Sequence, residues 1–113
     1  MILAATAHQQ AVEELGCTWA GEIFADRAYN DDATLVDRSK PGAVIHDPVL
    51  AGARMVEMVK ASAIITETGK HIPVSIDTSC LHGDTPTAVQ IAQSVRTALE
   101  GAGITVQTFE GRR

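Results

Sequence analysis

The chain has 113 residues, of which 45% are hydrophobic, 20% charged and 4% aromatic, a composition typical of one soluble folded domain. Its formal net charge is −5, and Lys and Arg cluster only at the final Arg112-Arg113, which argues against nucleic-acid binding. No apolar run is long enough to cross a bilayer and the start lacks a basic signal region, so we expect a cytoplasmic protein. Two cysteines, Cys17 and Cys80, are too few for a disulfide framework, and we expect both to be reduced and buried.

The first quarter of the chain indicates a helix followed by a strand. Apolar residues recur at one helical turn from Leu3 to Leu15, which predicts a helix over residues 2–15 with no strand before it. Gly16 suits the C-terminal cap of that helix. A strand is predicted over residues 17–25, and a polar stretch with turn signals follows it as far as Pro41-Gly42.

The middle of the chain indicates a second helix and a small hairpin. Asp47 followed by Pro48 is the pattern of an N-cap with proline in the first helical position, and it predicts a helix over about residues 48–61. We place the apolar side of this helix along the line Val49, Ala53, Val56 and Lys60, with Leu50 and Val59 beside it. Short apolar segments flank the sequence TETGK, where Gly69 suits a positive φ, and they predict a hairpin.

The last third contains the clearest strand, over residues 74–82. Thr85-Pro86 repeats the cap-then-proline signal and predicts a helix over residues 86–100. A final strand is predicted over residues 104–109. The apolar stripe of the helix is expected along Val89, Ala92, Val95, Leu99 and Ala102. Strands that alternate with helices favour parallel pairing, so residues 1–113 are predicted to form a single α/β domain.

Polar residues cluster at three turns between a strand and a helix, where ligands collect in parallel α/β proteins. These turns carry Asp26-Arg27, His46-Asp47 and His82-Gly83-Asp84. A structural interpretation exists for each turn: Asp47 and Thr85 suit helix caps, and Asp26-Arg27 suits a local ion pair or a solvated strand end.

His82 is the strongest functional candidate among these residues. Period-two alternation places it on one face with Cys80, Thr78 and Ile76, at the end of the strand where a substrate would bind. Asp84 could act as a base, orient His82 or bind a metal. Metal ligation by His82, Asp84, His46 and Asp47 stays open, whereas no Walker A, GxGxxG, GxSxG or HExxH pattern is present.

The segments EIFADRAYNDDATLVDRSKPGAVIHDP and DTSCLHGDTPTAVQIAQSVRTALEGAGI resemble the C-terminal part of the LamB/YcsF family, and the resemblance runs from about Gly16 to Phe109. It implies a partial (β/α) barrel of the glycoside hydrolase/deacetylase type. It also implies a part in the ATP-dependent 5-oxoprolinase, in which the family member works with subunits B and C to hydrolyse the lactam of 5-oxo-L-proline to L-glutamate.

The resemblance also implies a set of site residues, all at the turns described above. His82, Asp84 and Asp26 match motif positions that we expect to be catalytic. Arg27, His46, Asp47 and Gly83 match positions that we expect to bind substrate, and an arginine fork suits a carboxylate. No metal site is implied, and ATP is expected to serve the complete enzyme.

This sequence departs from the family pattern because it lacks the DLNCDLGE and CGFHAGDP-type motifs that come earlier in family members. A barrel of this kind needs about twice this length, so we expect half a barrel, with open strand edges that favour self-association or binding of a separate N-terminal half. Two other interpretations stay open. One is a non-catalytic homologue or assembly module, and the other is a metal-dependent carbohydrate hydrolase suggested by fold analogy alone.

Overall fold

Three short parallel strands organise the molecule, whose computed structural model describes residues 1–3, 6–83 and 86–111. The strands are β1 (Ile2–Leu3), β2 (Gly21–Phe24) and β5 (Thr78–Cys80), and their order across the sheet is β1-β2-β5. Both neighbouring pairs are parallel. The chain is therefore an α/β protein with parallel strands, as the alternation of elements predicts.

The prediction that no strand precedes the first helix is wrong. Ile2 pairs with Gly21, and its N–H donates to the carbonyl of Ala20 at 3.0 Å. The helix α1 (Ala7–Leu15) begins later than predicted, after Thr6, whose side chain accepts the N–H of His8. The C-terminal cap is confirmed, since Gly16 has a φ of 69°.

The helix α2 (Pro48–Ala61) has the predicted bounds, and Asp47 caps it by accepting the N–H groups of Val49 and Leu50. The predicted apolar line is wrong, because Val49 is 76% exposed. The buried positions of this helix are Ala51, Gly52, Met55 and Met58. A Cβ on Gly52 would lie 3.0 Å from two oxygens of Ser94, so small residues set the buried face by allowing close helix packing.

The partner of α2 is α3 (Ala88–Gly101), which begins two residues later than predicted. Its N-cap is Thr87, while the predicted cap Thr85 lies outside the described residues. Within the predicted stripe Val95 is buried, but Val89 is 66% exposed and Ile91 is buried instead. The two helices cover one face of the sheet through a shared apolar core that includes Ile23, Met55, Ile91 and Val95.

The hairpin prediction is confirmed. Strands β3 (Ala63–Ile65) and β4 (His71–Pro73) pair antiparallel, and Gly69 in the turn has a φ of 89°. The final strand predicted over residues 104–109 is wrong, because these residues are irregular and mostly exposed. Cys17 is exposed and Cys80 is half-buried, so the expectation that both cysteines are buried is also wrong. None of the helices in the described ranges has both the length and the apolar composition of a membrane span.

Candidate active site

The carboxyl ends of β2 and β5 bring two residues together that are 56 positions apart in sequence, Asp26 and His82. His82 donates its backbone N–H to Asp26 Oδ2 at 3.0 Å, and its ring Nδ1 lies 2.8 Å from Asp26 Oδ1. The register of the parallel strands explains this meeting, because Phe24 pairs with Cys80 and the next residues on that face are Asp26 and His82.

Asp26 is a buried carboxylate, with a side chain only 6% exposed, whereas the side chain of His82 is 27% exposed. A buried carboxylate requires hydrogen-bond donors, and His82 supplies two of them. The ionised carboxylate can only accept, so Nδ1 of His82 carries the proton in this contact. Nε2 is then the ring nitrogen whose lone pair faces away from Asp26.

Two aromatic residues complete the support of this pair. The rings of Phe24 and His82 meet edge to face, with centroids 5.1 Å apart. Tyr29 is buried and its hydroxyl accepts the N–H of Phe24 at 3.0 Å. Burial raises the pKa of Tyr29, so this hydroxyl stays neutral and serves as a support for the strand end.

Arg54 of α2 holds the same strand end from the other side. Its Nη1 donates to the carbonyl of Ala25 at 2.9 Å and its Nη2 to the carbonyl of Arg27 at 3.1 Å, so it brackets Asp26 on the main chain. Burial lowers the pKa of Arg54 from its ordinary value. Sequence reasoning missed Arg54, Tyr29 and Phe24, because no short motif signals contacts across such separations.

Arg27 is buried rather than solvated, and Asp26 pairs with His82 instead of with Arg27. Both structural interpretations of Asp26-Arg27 from the sequence are therefore wrong. Nη2 of Arg27 donates to the carbonyl of Val36 at 3.0 Å. Its Nε is buried and has no hydrogen-bond partner within the described ranges.

Of the other predicted site residues, His46, Asp47 and Gly83 lie at the surface. His46 is exposed, and its carbonyl accepts the Thr87 hydroxyl at 3.1 Å, which ties the start of α2 to the start of α3. One carboxylate oxygen of Asp47 caps α2 by accepting two backbone N–H groups. Gly83 is exposed with open space around it, and Asp84 lies outside the described residues. Across residues 1–3, 6–83 and 86–111, no three His, Cys, Asp or Glu side chains converge on a common metal position.

The fold and this pair define an α/β protein with a polar site at the carboxyl end of a parallel sheet. The chain belongs to the LamB/YcsF family, whose profile matches residues 1–113.

Relatives with curated names are similar over almost the whole of this chain. A protein named as the A subunit of 5-oxoprolinase from Ruegeria pomeroyi is 70% identical over 110 residues, which cover 97% of this chain and 44% of that protein. A protein of the same name from Rhodopseudomonas palustris (strain BisB18) is 54% identical over 111 residues, covering 98% of this chain and 44% of that protein.

A solved structure is similar as well. It is the lactam utilization protein from Thermus thermophilus, at a TM-score of 0.80 and 36% identity, with 92% of this chain and 41% of that chain covered. The present chain thus spans less than half the length of these three proteins.

Proposed function

We propose that this chain acts in an ATP-dependent 5-oxoprolinase, as a component of its A subunit that helps to hydrolyse the lactam of 5-oxo-L-proline to L-glutamate. Support comes from the relatives named as the A subunit of 5-oxoprolinase and from the similar lactam utilization protein. The observation that carries the proposal is the Asp26–His82 pair, since it leaves a partly exposed imidazole whose Nε2 faces away from Asp26 at the sheet edge where ligands bind.

The chemistry of the proposed reaction matches this arrangement. A lactam amide is a poor electrophile, and phosphorylation of its oxygen by ATP makes the carbon open to attack by water. His82 Nε2 accepts a proton from that water, while Asp26 stabilises the protonated ring through Nδ1. The C–N bond of the tetrahedral intermediate then breaks as the nitrogen takes up a proton, which leaves an acyl phosphate of glutamate. A second water hydrolyses this acyl phosphate to L-glutamate and inorganic phosphate.

We assign supporting roles to the remaining candidates. Asp84, two residues after His82 in the sequence, acts as the second acid or base, and the main chain of Gly83 approaches the substrate in the open space around it. Arg27 is assigned to the substrate carboxylate, because an arginine fork suits that group. The exposed His46 and the second oxygen of Asp47 line the rim of the site. ATP enters through the complete enzyme with subunits B and C, because this chain has no Walker A pattern.

The architecture that we propose for this function is a partial (β/α) barrel, formed by residues 1–113 as a single domain in the cytoplasm. The parallel order β1-β2-β5, with helices packed on one face, supports this proposal, because the wall of a (β/α) barrel also has parallel strands covered by helices. Both β1 and β5 have a free outer edge within the described residues. A second copy or a separate N-terminal half would cover these edges.

The test replaces His82 with asparagine, whose side-chain amide can still donate to Asp26 but offers no counterpart of Nε2. We expect 5-oxoproline-dependent turnover with subunits B and C to fall about 100- to 10,000-fold, the usual contribution of a general base. The matched control is His8→Ala on the exposed face of α1, which should leave turnover unchanged.

Equal turnover of His82→Asn and the parent chain would remove His82 from the site. Absence of turnover in the parent with both partner subunits, under conditions in which they bind it, would instead favour a non-catalytic assembly module.

A further inference from the structure

The sheet face opposite α2 carries a second set of half-buried polar groups. Ile23 and Ser79 point towards α2, since Ile23 is fully buried and the Ser79 hydroxyl donates to the Met55 sulfur at 3.3 Å. Side chains alternate along a strand, so the neighbouring residues on β2 and β5 occupy the other face. These are Glu22, Phe24, Thr78 and Cys80, and all four are half-buried.

Cys80 connects this face to the Asp26–His82 pair. Its Sγ lies 4.0 Å from Nε2 of His82, the ring nitrogen that faces away from Asp26. Glu22 and Cys80 lie on the same face of neighbouring strands, because Glu22 pairs with Thr78 and Phe24 with Cys80. The Cys80 Sγ also lies 4.0 Å from the carbonyl oxygen of Leu81. Burial, together with the negative charges of Glu22 and Asp26, raises the pKa of the Cys80 thiol. The thiol therefore stays protonated, and it marks the side from which a ligand would approach Nε2.

Glu22 retains acceptor capacity that Asp26 lacks. Both oxygens of Asp26 are engaged by His82 and its side chain is buried, whereas Glu22 is half-buried and an ionised carboxylate can accept from the donors of a ligand. Glu22 is half-buried, so it can reach a molecule that lies on this face. A carboxylate in this position favours a ligand that presents an N–H or O–H donor to it and disfavours a ligand that presents a lone pair.

We propose that Glu22 is a specificity-determining residue that accepts the ring N–H of a small cyclic amide whose carbonyl carbon lies beside Nε2 of His82. This inference rests on the proposed function and adds to it the basis for choosing a lactam over a lactone. In a lactone an oxygen replaces the ring N–H, and its lone pairs would face the Glu22 carboxylate. Replacement of the Glu22 carboxylate should therefore weaken lactam binding without displacing His82 from Asp26.

Cys80 supplies a reporter for occupancy that does not depend on turnover. The Cys17→Ala chain retains Cys80 as its single thiol, and iodoacetamide then measures access to the position beside Nε2. At a concentration of 5-oxo-L-proline ten times its Kd, alkylation should slow about tenfold, because one site is then almost fully occupied. The corresponding lactone acid should give no comparable protection.

Glu22→Gln, made in the same Cys17→Ala chain, removes the carboxylate. Glutamine keeps an acceptor oxygen but has no charge. A neutral hydrogen bond in place of a charged one should raise the Kd for 5-oxo-L-proline about 5- to 10-fold, so protection at the same concentration should fall from about tenfold to about two- to threefold. Protection is the ratio of the alkylation rate without 5-oxo-L-proline to the rate with it, measured for the same variant. A change in the intrinsic reactivity of Cys80 therefore cancels. The control is Glu57→Gln on the exposed side of α2, in which 5-oxo-L-proline should protect Cys80 as much as in the parent.

The outcomes separate the two proposals. Loss of protection in Glu22→Gln but not in Glu57→Gln supports the assignment of Glu22. Full protection in Glu22→Gln, or equal protection of the parent by lactam and lactone, overturns it while the proposed function stands. If 5-oxo-L-proline gives the parent no protection, either alone or with subunits B and C, the lactam site itself is wrong and the inference fails with it.

Discussion

Replacement of Asp26 by asparagine tests whether the Asp26–His82 contact holds the two strand ends together. The carboxylate is buried and accepts both the backbone N–H and the ring Nδ1–H of His82. An asparagine side chain retains one acceptor oxygen and turns its amide N–H towards the other donor. Since a hydrogen bond to a charged group contributes about 1.5–3 kcal/mol, we expect the free energy of unfolding to fall by about 2–3 kcal/mol. For a chain of this length that loss corresponds to a decrease in Tm of about 8–12 °C.

The assay is urea denaturation together with nitrogen-detected NMR of the His82 ring. In the parent chain the ring proton should reside on Nδ1, and in Asp26→Asn that preference should weaken. The control is Asp47→Asn, because asparagine caps a helix about as well as aspartate and the change should cost about 1 kcal/mol or less. Equal stability of the two variants, with an unchanged ring tautomer, would refute the view that Asp26 organises this site.

Two further predictions concern the scaffold. Hydrogen bonds from Thr66 and, to a lesser extent, Thr68 lower the pKa of Asp31 below its ordinary value. The ionised Asp31 therefore stabilises the fold at pH values above its ordinary pKa, and this stabilisation is lost as the pH falls through the lowered pKa. Thr66→Val should raise the Asp31 pKa in an NMR titration and should destabilise the chain more near neutral pH than in acid; an unchanged titration would contradict this. In β2, a Cβ on Gly21 would collide with a main-chain carbonyl oxygen, so Gly21→Ala should cost about 1–3 kcal/mol in urea denaturation. Gly83→Ala meets open space and should be close to neutral, and equal losses in both variants would contradict the packing argument.

Local signals in the sequence predicted both ends of α2, the C-terminal end of α1 and the hairpin correctly. Asp47 caps α2 because a carboxylate oxygen can accept the first free N–H groups of a helix whatever lies around it. Gly16 and Gly69 adopt positive φ because glycine alone does so at little cost. These outcomes depend on a few adjacent residues, and the sequence shows such residues directly.

Local signals failed wherever a distant partner decides the outcome. Ile2–Leu3 is a strand only because it pairs with β2, whereas the β-favouring residues 104–109 form no strand in the described part of the chain. The buried side of α2 follows Gly52 and Ala51, because close approach to α3 outweighs the apolar character of Val49. The spacing of apolar residues along the helix does not show which face packs against α3.

The sequence by itself determined which turns hold the polar candidates, since His82 and Asp26 each follow a recognisable strand, and it determined the family through the motifs around them. Only the tertiary structure decided which candidates meet. The parallel register of β2 and β5 joins Asp26 to His82 and sets Glu22 and Cys80 on the same face, while Arg27 turns into the interior towards Val36. Pairing register is a long-range property, and it fixes the face on which every side chain of a strand lies.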